Sequence, residues 1–193
     1  ATGDFGSHSE GALTLASGSA SHAEGISTEA SGANGSHAEG KQATASGEAS
    51  HAQNNNCTAS GSGSHAEGVA TQAVGAYSHA QNSYTTANGD NSTSAGRYTV
   101  ADGDNQFVVG TYNIPLSTEG AFIIGNGTFS FDRNLLVAAD QEVEIFGKTS
   151  TETIKISDGA FDGYVLTSDA LGNGTWQSVA GLTDTFVTAA SLN

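Results

Sequence analysis

Ser21-His22-Ala23-Glu24-Gly25-Ile26-Ser27-Thr28-Glu29-Ala30-Ser31-Gly32 holds both halves of the unit from which most of this chain is built. Its first half recurs as Ser36-His37-Ala38-Glu39-Gly40 and Ser64-His65-Ala66-Glu67-Gly68. Near copies are Ser7-His8-Ser9-Glu10-Gly11, Ser50-His51-Ala52-Gln53-Asn54 and Ser78-His79-Ala80-Gln81-Asn82. The starts at 7, 21, 36, 50, 64 and 78 are spaced by 14, 15, 14, 14 and 14 residues. Seven residues after each start comes the second half, clearest in Thr14 to Gly18 and Thr28 to Gly32 and continuing at Ala43, Cys57, Thr71 and Thr85. All six histidines occupy one slot of this repeat. A disordered Gly/Ser linker has no reason to hold such a register, whereas a stacked repeat does.

Within each half, small residues alternate: Ser21, Ala23 and Gly25, then Thr28, Ala30 and Gly32. Period two makes a strand with one face of small side chains. Glycine between the halves permits tight turns and close backbone contact. Each unit therefore reads as one rung of two short strands, and rungs stack in parallel about 4.8 Å apart. The expected fold is all-β, a narrow β-solenoid filled by small residues.

The register outlasts the histidines. Ser92 to Gly96 and Thr99 to Gly103 form another rung, followed by Gln106-Phe107-Val108-Val109-Gly110 and Ala121-Phe122-Ile123-Ile124-Gly125. The His slot becomes Phe107 and Phe122, and the Glu/Gln slot becomes Val109 and Ile124. A slot that accepts Phe and Val reads as shielded from water. The interior being already filled, the expected shield is another copy of the chain. The interface column is thus His22, Glu24, His37, Glu39, His51, Gln53, His65, Glu67, His79, Gln81, Phe107, Val109, Phe122 and Ile124.

Composition excludes several classes. The chain has 193 residues, 26 Gly, one Pro, no Met and 7% aromatics. From Gly6 to Ala76 there is no aromatic ring beyond the histidines, so an ordinary enzyme core is not expected there. Five Lys and Arg against 20 Asp and Glu give a formal charge of −15, which argues against nucleic acid. No apolar run approaches the roughly 18 residues of a membrane span. The lack of an initiator Met and of a signal-like segment reads as a fragment or mature form. Cys57, alone, forms no internal disulfide and reads as a free thiol.

Six His with Glu or Gln two residues on raise metal binding. In a trimer, His8, His22, His37, His51, His65 and His79 would each supply a ring of three imidazoles, enough for zinc or nickel. The preferred reading is hydrogen bonding between imidazole and carboxylate across chains; no metal or cofactor is expected. Stacked imidazoles resist simultaneous protonation, so acid is expected to weaken the trimer. No catalytic residue is expected, since a catalytic constellation is singular and every His here is a repeat residue. Glu142 and Glu144 read as one solvated strand face. Asp102, Asp104, Asp158 and Asp162 sit beside Gly at turns, where calcium is a lesser possibility. Thr14, Thr28, Thr71, Thr85 and Thr99 form a column, interrupted by Ala43 and Cys57, that raises ice binding as a remote alternative.

With this pattern, residues from about 7 to 125 resemble the YadA-like heads of trimeric autotransporter adhesins, whose rungs read Ser-Val-Ala-Ile-Gly alternating with Ser-x-Ala-x-Gly. The resemblance implies a left-handed parallel β-roll, three chains side by side, and a rod-like head that attaches to surfaces. Placing His and Glu where Val and Ile usually stand bears on how apolar the trimer interface is, not on whether the roll forms. Residues 1–127 are assigned to this head and 128–193 to a β-rich neck or connector. In the latter, Leu135 to Val137, Val143 to Phe146 and Thr153 to Ile156 read as strands, with turn signals at Asp158-Gly159, Asp162-Gly163 and Gly172-Asn173-Gly174. Gly163 to Ala170 followed by Gly174-Thr175-Trp176-Gln177 resembles connectors of phage tail fibres, as does Asp184 to Thr188. The expected setting is extracellular, on a bacterial surface or a virion fibre. The expected partners are the chain itself and an unidentified surface glycan or protein, not nucleic acid and not a membrane.

Overall fold

The computed structural model describes residues 1–3, 5–139, 142–145, 164–168 and 174–178. Among these there is no helix; the chain is a β-solenoid of about eight turns with rungs of roughly 14 residues. Contacts divide it into two compact units, Ala1–Lys148 and Thr149–Asn193.

Each rung carries a long strand and a short one. The long strands run from His8–Ala12 through His22–Ile26, His37–Lys41, His51–Asn55, His65–Val69, His79–Ser83, Thr93–Arg97 and Phe107–Thr111 to Phe122–Asn126, pairing in parallel. The short strands, from Leu15–Ala16 to Val100–Ala101, build a second, 7-stranded parallel sheet. Register is strict: His22 pairs with His37, Ala23 with Ala38, Glu24 with Glu39. Asn134–Ala139 then adds antiparallel to Phe122–Asn126, and Glu142–Ile145 to Asn134–Ala139, so the long sheet has 11 strands. Parallel stacking thus ends at Asn126. The expected strands at Leu135 to Val137 and Val143 to Phe146 correspond to these two.

The interior is as small as the alternation predicts. Ala23, Ala38, Ala52, Ala66 and Ala80 are wholly buried on the long sheet, and Ala30, Ala45, Ala59, Ala73 and Ala87 on the short one. Ser21, Ser50, Ser64 and Ser92 point inward, each Oγ donating to the Gly carbonyl three residues earlier. Cys57 occupies the interior Thr slot and is a buried free thiol whose Sγ lies 3.3 Å from the Gly68 carbonyl.

Narrowness also dictates glycine. A Cβ placed on Gly32 would stand 1.9 Å from the Gly47 carbonyl oxygen of the next rung. The corners require left-handed backbone: Gly25 has φ 111°, and Asn54 and Asn82 in that slot have φ 78° and 81°, a region Asn tolerates. Each corner carries such a residue even where no glycine is present, as at Ser27, Gln42, Asn56, Ala70, Tyr84, Tyr98 and Tyr112. Their amides step between rungs, for example Gln42 N–H to the Ile26 carbonyl at 2.9 Å, which offsets the strain. Tyr84, Tyr98 and Tyr112 stack with centroids 4.6 and 4.7 Å apart.

Among the described residues no further short strand follows Phe107–Thr111. Asn113, buried, instead uses its side-chain amide as a strand would: Val100 N–H donates to Oδ1 at 2.7 Å and Nδ2 donates to the Val100 carbonyl at 2.9 Å. Asn134 repeats the device on Ile114. The second unit contains an antiparallel pair of Tyr164–Ser168 with Gly174–Ser178. Thr153 to Ile156, Asp158-Gly159, Asp162-Gly163 and Asp184 to Thr188 lie outside the described residues.

Candidate functional site

Because side chains alternate across a strand, burying the Ala column turns His and Glu/Gln outward together. The imidazoles of His22, His37, His51, His65 and His79 form one ladder, with centroids 4.7 to 4.8 Å apart and planes within 5° of parallel. His8 joins at 4.9 Å, tilted by 36°. The column continues in register through Thr93 to Phe107 and Phe122, whose rings stack at 5.7 Å. Beside it run Glu10, Glu24, Glu39, Gln53, Glu67, Gln81, Ala95, Val109 and Ile124. Every residue named for this column therefore falls on one face of the long sheet. In the single chain that face is half-exposed: the His22, His37, His51 and His79 side chains keep 32–37% of their area, and Phe107 and Phe122 keep 44% and 40%.

The electrostatics are uneven along the ladder. Glu24 lies 3.6 Å from His22 Nε2, and Glu67 lies 3.6 Å from His79 Nε2. Glu39 lies between two imidazoles, 3.9 Å from His37 and 3.8 Å from His51. These separations exceed hydrogen-bonding distance. Where Gln replaces Glu, Gln53 Nε2 donates to Glu67 at 2.7 Å. Burial holds His51 below its ordinary pKa, reinforced by His37 and His65 and opposed by Glu39 and Glu67. His65 is lowered by burial and then by His79. Both imidazoles are therefore neutral at neutral pH. His37, Glu39 and His51 are the one group of three potential metal ligands among the described residues.

Other expectations fare differently. Thr28, Thr71, Thr85 and Thr99 lie inside the roll at 0–1% exposure, as do Ala43 and Cys57 in the same slot, and only Thr14 at the first rung is half-buried, so this column presents no hydroxyl row to water. Asp102 and Asp104 are occupied across rungs: Asn88 Nδ2 donates to Asp102 at 2.6 Å and the Asp90 amide to Asp104 at 2.8 Å. Asp158 and Asp162 lie outside the described residues, and of Glu142 and Glu144 only the strand is described. A cleft after the last parallel rung, lined by Asn126, Gly127, Thr128, Phe131, Asp132 and Arg133, holds neither His nor Cys.

Sequence reasoning missed the tyrosine corner stack, with the Arg97 guanidinium 5.4 Å from the Tyr98 centroid and 5.8 Å from that of Tyr112. The 14-residue spacing of Tyr84, Tyr98 and Tyr112 was the signal that could have found it. Compared with known proteins, the chain matches no protein-family model and no curated protein.

Proposed function

We propose that this chain is a structural and adhesive fibre segment: a trimeric head of the autotransporter-adhesin type that attaches its bearer to another surface. The observation that carries the reading is the single half-exposed column running from His8 to Phe122. A face that ends in two stacked, 40–44% exposed phenylalanines favours cover by apolar partners. A second and third copy supply the same column in the same register, matching polar rungs to polar and Phe to Phe. In this reading the roll is left-handed, the head is extracellular, and no catalysis is involved. A stiff repeat holds a binding surface away from its anchor. The acidic balance favours neutral glycans or protein surfaces over anionic polysaccharide.

A virion tail fibre is the second reading. The Tyr164–Ser168 and Gly174–Ser178 hairpin, placed where the sequence resembles phage connectors, favours it, and it shares the trimeric roll.

Light scattering after size exclusion tests the assembly. A mass of three chains is expected, and Phe107→Glu with Phe122→Glu should reduce it to one. A monomeric parent protein would overturn the trimer. Retention of the labelled trimer on bacterial cells or immobilised glycans then tests attachment; failure on every surface would leave a fibre without adhesive function.

A further inference from the structure

At one place on the His ladder three ligand-type side chains converge. The donor atoms of His37, Glu39 and His51 all lie within 4.8 Å of one another. Glu39 offers one oxygen to each imidazole, at 3.9 and 3.8 Å, too far for hydrogen bonds. Nε2 of His37 and Nε2 of His51, like those of His22 and His79, are shut off from water and have no hydrogen-bond partner, a condition that costs free energy; only the first two share one carboxylate. Three donor atoms gathered this closely, two of them imidazole nitrogens without a partner, are the makings of a cation site once the stacked rings tilt toward one another.

The neighbouring rungs explain why the convergence occurs here. Gln53 replaces a carboxylate on the rung after Glu39, and its amide is spent on Glu67. Glu67 therefore already accepts a hydrogen bond, and Glu24 faces a single imidazole, 3.6 Å from His22 Nε2. Among the described His–carboxylate contacts within 4 Å, Glu39 alone is divided between two imidazoles.

We propose that His37, Glu39 and His51 form a binding site for a divalent transition-metal ion of the zinc class, held between two successive rungs of a single chain. Two imidazole nitrogens and one carboxylate oxygen suit zinc, cobalt or nickel, whereas calcium and magnesium favour all-oxygen sets. Tetrahedral ligation at about 2.0–2.1 Å sets donors roughly 3.4 Å apart. Closure from 4.8 Å is at most about 1.4 Å, and rotation about the side-chain torsions of these half-exposed groups tilts the two imidazoles out of their stack so that both lone pairs meet one ion. Bound there, the ion clips strand His37–Lys41 to strand His51–Asn55. The site lies within one chain and does not depend on trimer formation.

The test is calorimetric titration of metal-stripped protein with zinc chloride. One ion per chain is expected. Even an outer-shell partner is worth about ten- to a hundredfold in metal affinity, so Glu39→Gln and His51→Ala should each weaken binding by at least about tenfold. His79→Ala, in the same column but outside the group, should leave affinity unchanged. A second measurement needs no substitution: zinc-induced shifts of the histidine ring resonances should be confined to His37 and His51. Absence of binding would overturn the site. So would one ion per three chains, which indicates an axial ring, loss of affinity in His79→Ala equal to that in His51→Ala, or shifts spread evenly over six histidines.

Discussion

The rungs from His8 to Ser83 and those from Thr93 to Asn126 share one backbone path yet are held by different forces. The first group has an interior of Ala, Ser, Thr and one Cys, with stacked imidazoles outside. The second is centred on Val108, Ala121, Ile123 and Val137 inside, with stacked phenyl rings outside. Burying a methyl group yields little transfer free energy, so the early rungs depend on backbone hydrogen bonds and close glycine contacts. The late rungs add ordinary hydrophobic packing where parallel stacking stops and Asn134–Ala139 must dock antiparallel. A solenoid this narrow is thus set by backbone geometry along its length and by side-chain volume at its end.

Substitutions that act on one group and not the other sharpen this contrast. The largest effect is expected for Gly32→Ala, whose new Cβ would overlap the Gly47 carbonyl. A loss of about 4 kcal/mol or more by urea denaturation is expected, a size reserved for direct structural conflict. Gly120→Ala, with open space around it and only its φ of 69° against it, should cost about 1 kcal/mol. Next, Ile123→Ala should cost about 3 kcal/mol, whereas Ala52→Gly in the equivalent interior position should cost about 1 kcal/mol. Equal losses would show that the two groups are packed alike.

Histidine titration acts on the early rungs alone, since all six imidazoles lie between His8 and His79. His51 and His65 have folded pKa values below their ordinary 6.5. As pH falls through 6.5 the unfolded chain takes up protons that the folded column refuses, so stability declines. Above that value both states are neutral and the contribution is flat. In chelator-treated buffer the melting midpoint should therefore hold from pH 9 to about 7 and fall toward pH 5. His51→Gln with His65→Gln should flatten that fall, and an unchanged parent midpoint would refute the linkage. The smallest effect expected is a gain: Ala70 sits at φ 54°, so Ala70→Gly should stabilise by about 0.5 kcal/mol, the relief of strain slightly exceeding the entropy cost.

The periodic part of this molecule was legible because position, not identity, carries its meaning. A slot occupied by Ala23, Ala38, Ala52 and Ala66 has one environment, and reading it once reads it throughout. The outward His ladder follows from the same alternation. What escaped were events that occur once. Asn113 stands in a segment, Asn113-Ile114-Pro115, whose only local signal is a proline incompatible with ladder pairing; its role as a strand substitute depends on where Val100 lies. The left-handed corners at Ala49 and Ala70 carry no compositional mark, because rung-to-rung hydrogen bonds impose them. Glu39 looks the same as Glu24 and Glu67 in the repeat, and its position between two imidazoles depends on Gln53 one rung on. The Thr column was read correctly as a column, and its inward direction follows from the Ser-x-Ala alternation that also fills the roll.

The amide of Asn113 has a consequence for how the molecule behaves in company. A parallel solenoid has no intrinsic length, and its last short strand displays a row of donors and acceptors that any extended peptide can satisfy. Such an edge templates further addition, within a chain or between chains. By giving Val100 both a donor and an acceptor from a side chain that leads nowhere, Asn113 terminates the polymerisable surface at a chosen rung. On the short sheet, the chemistry that would seed an amyloid-like filament therefore stops at Val100.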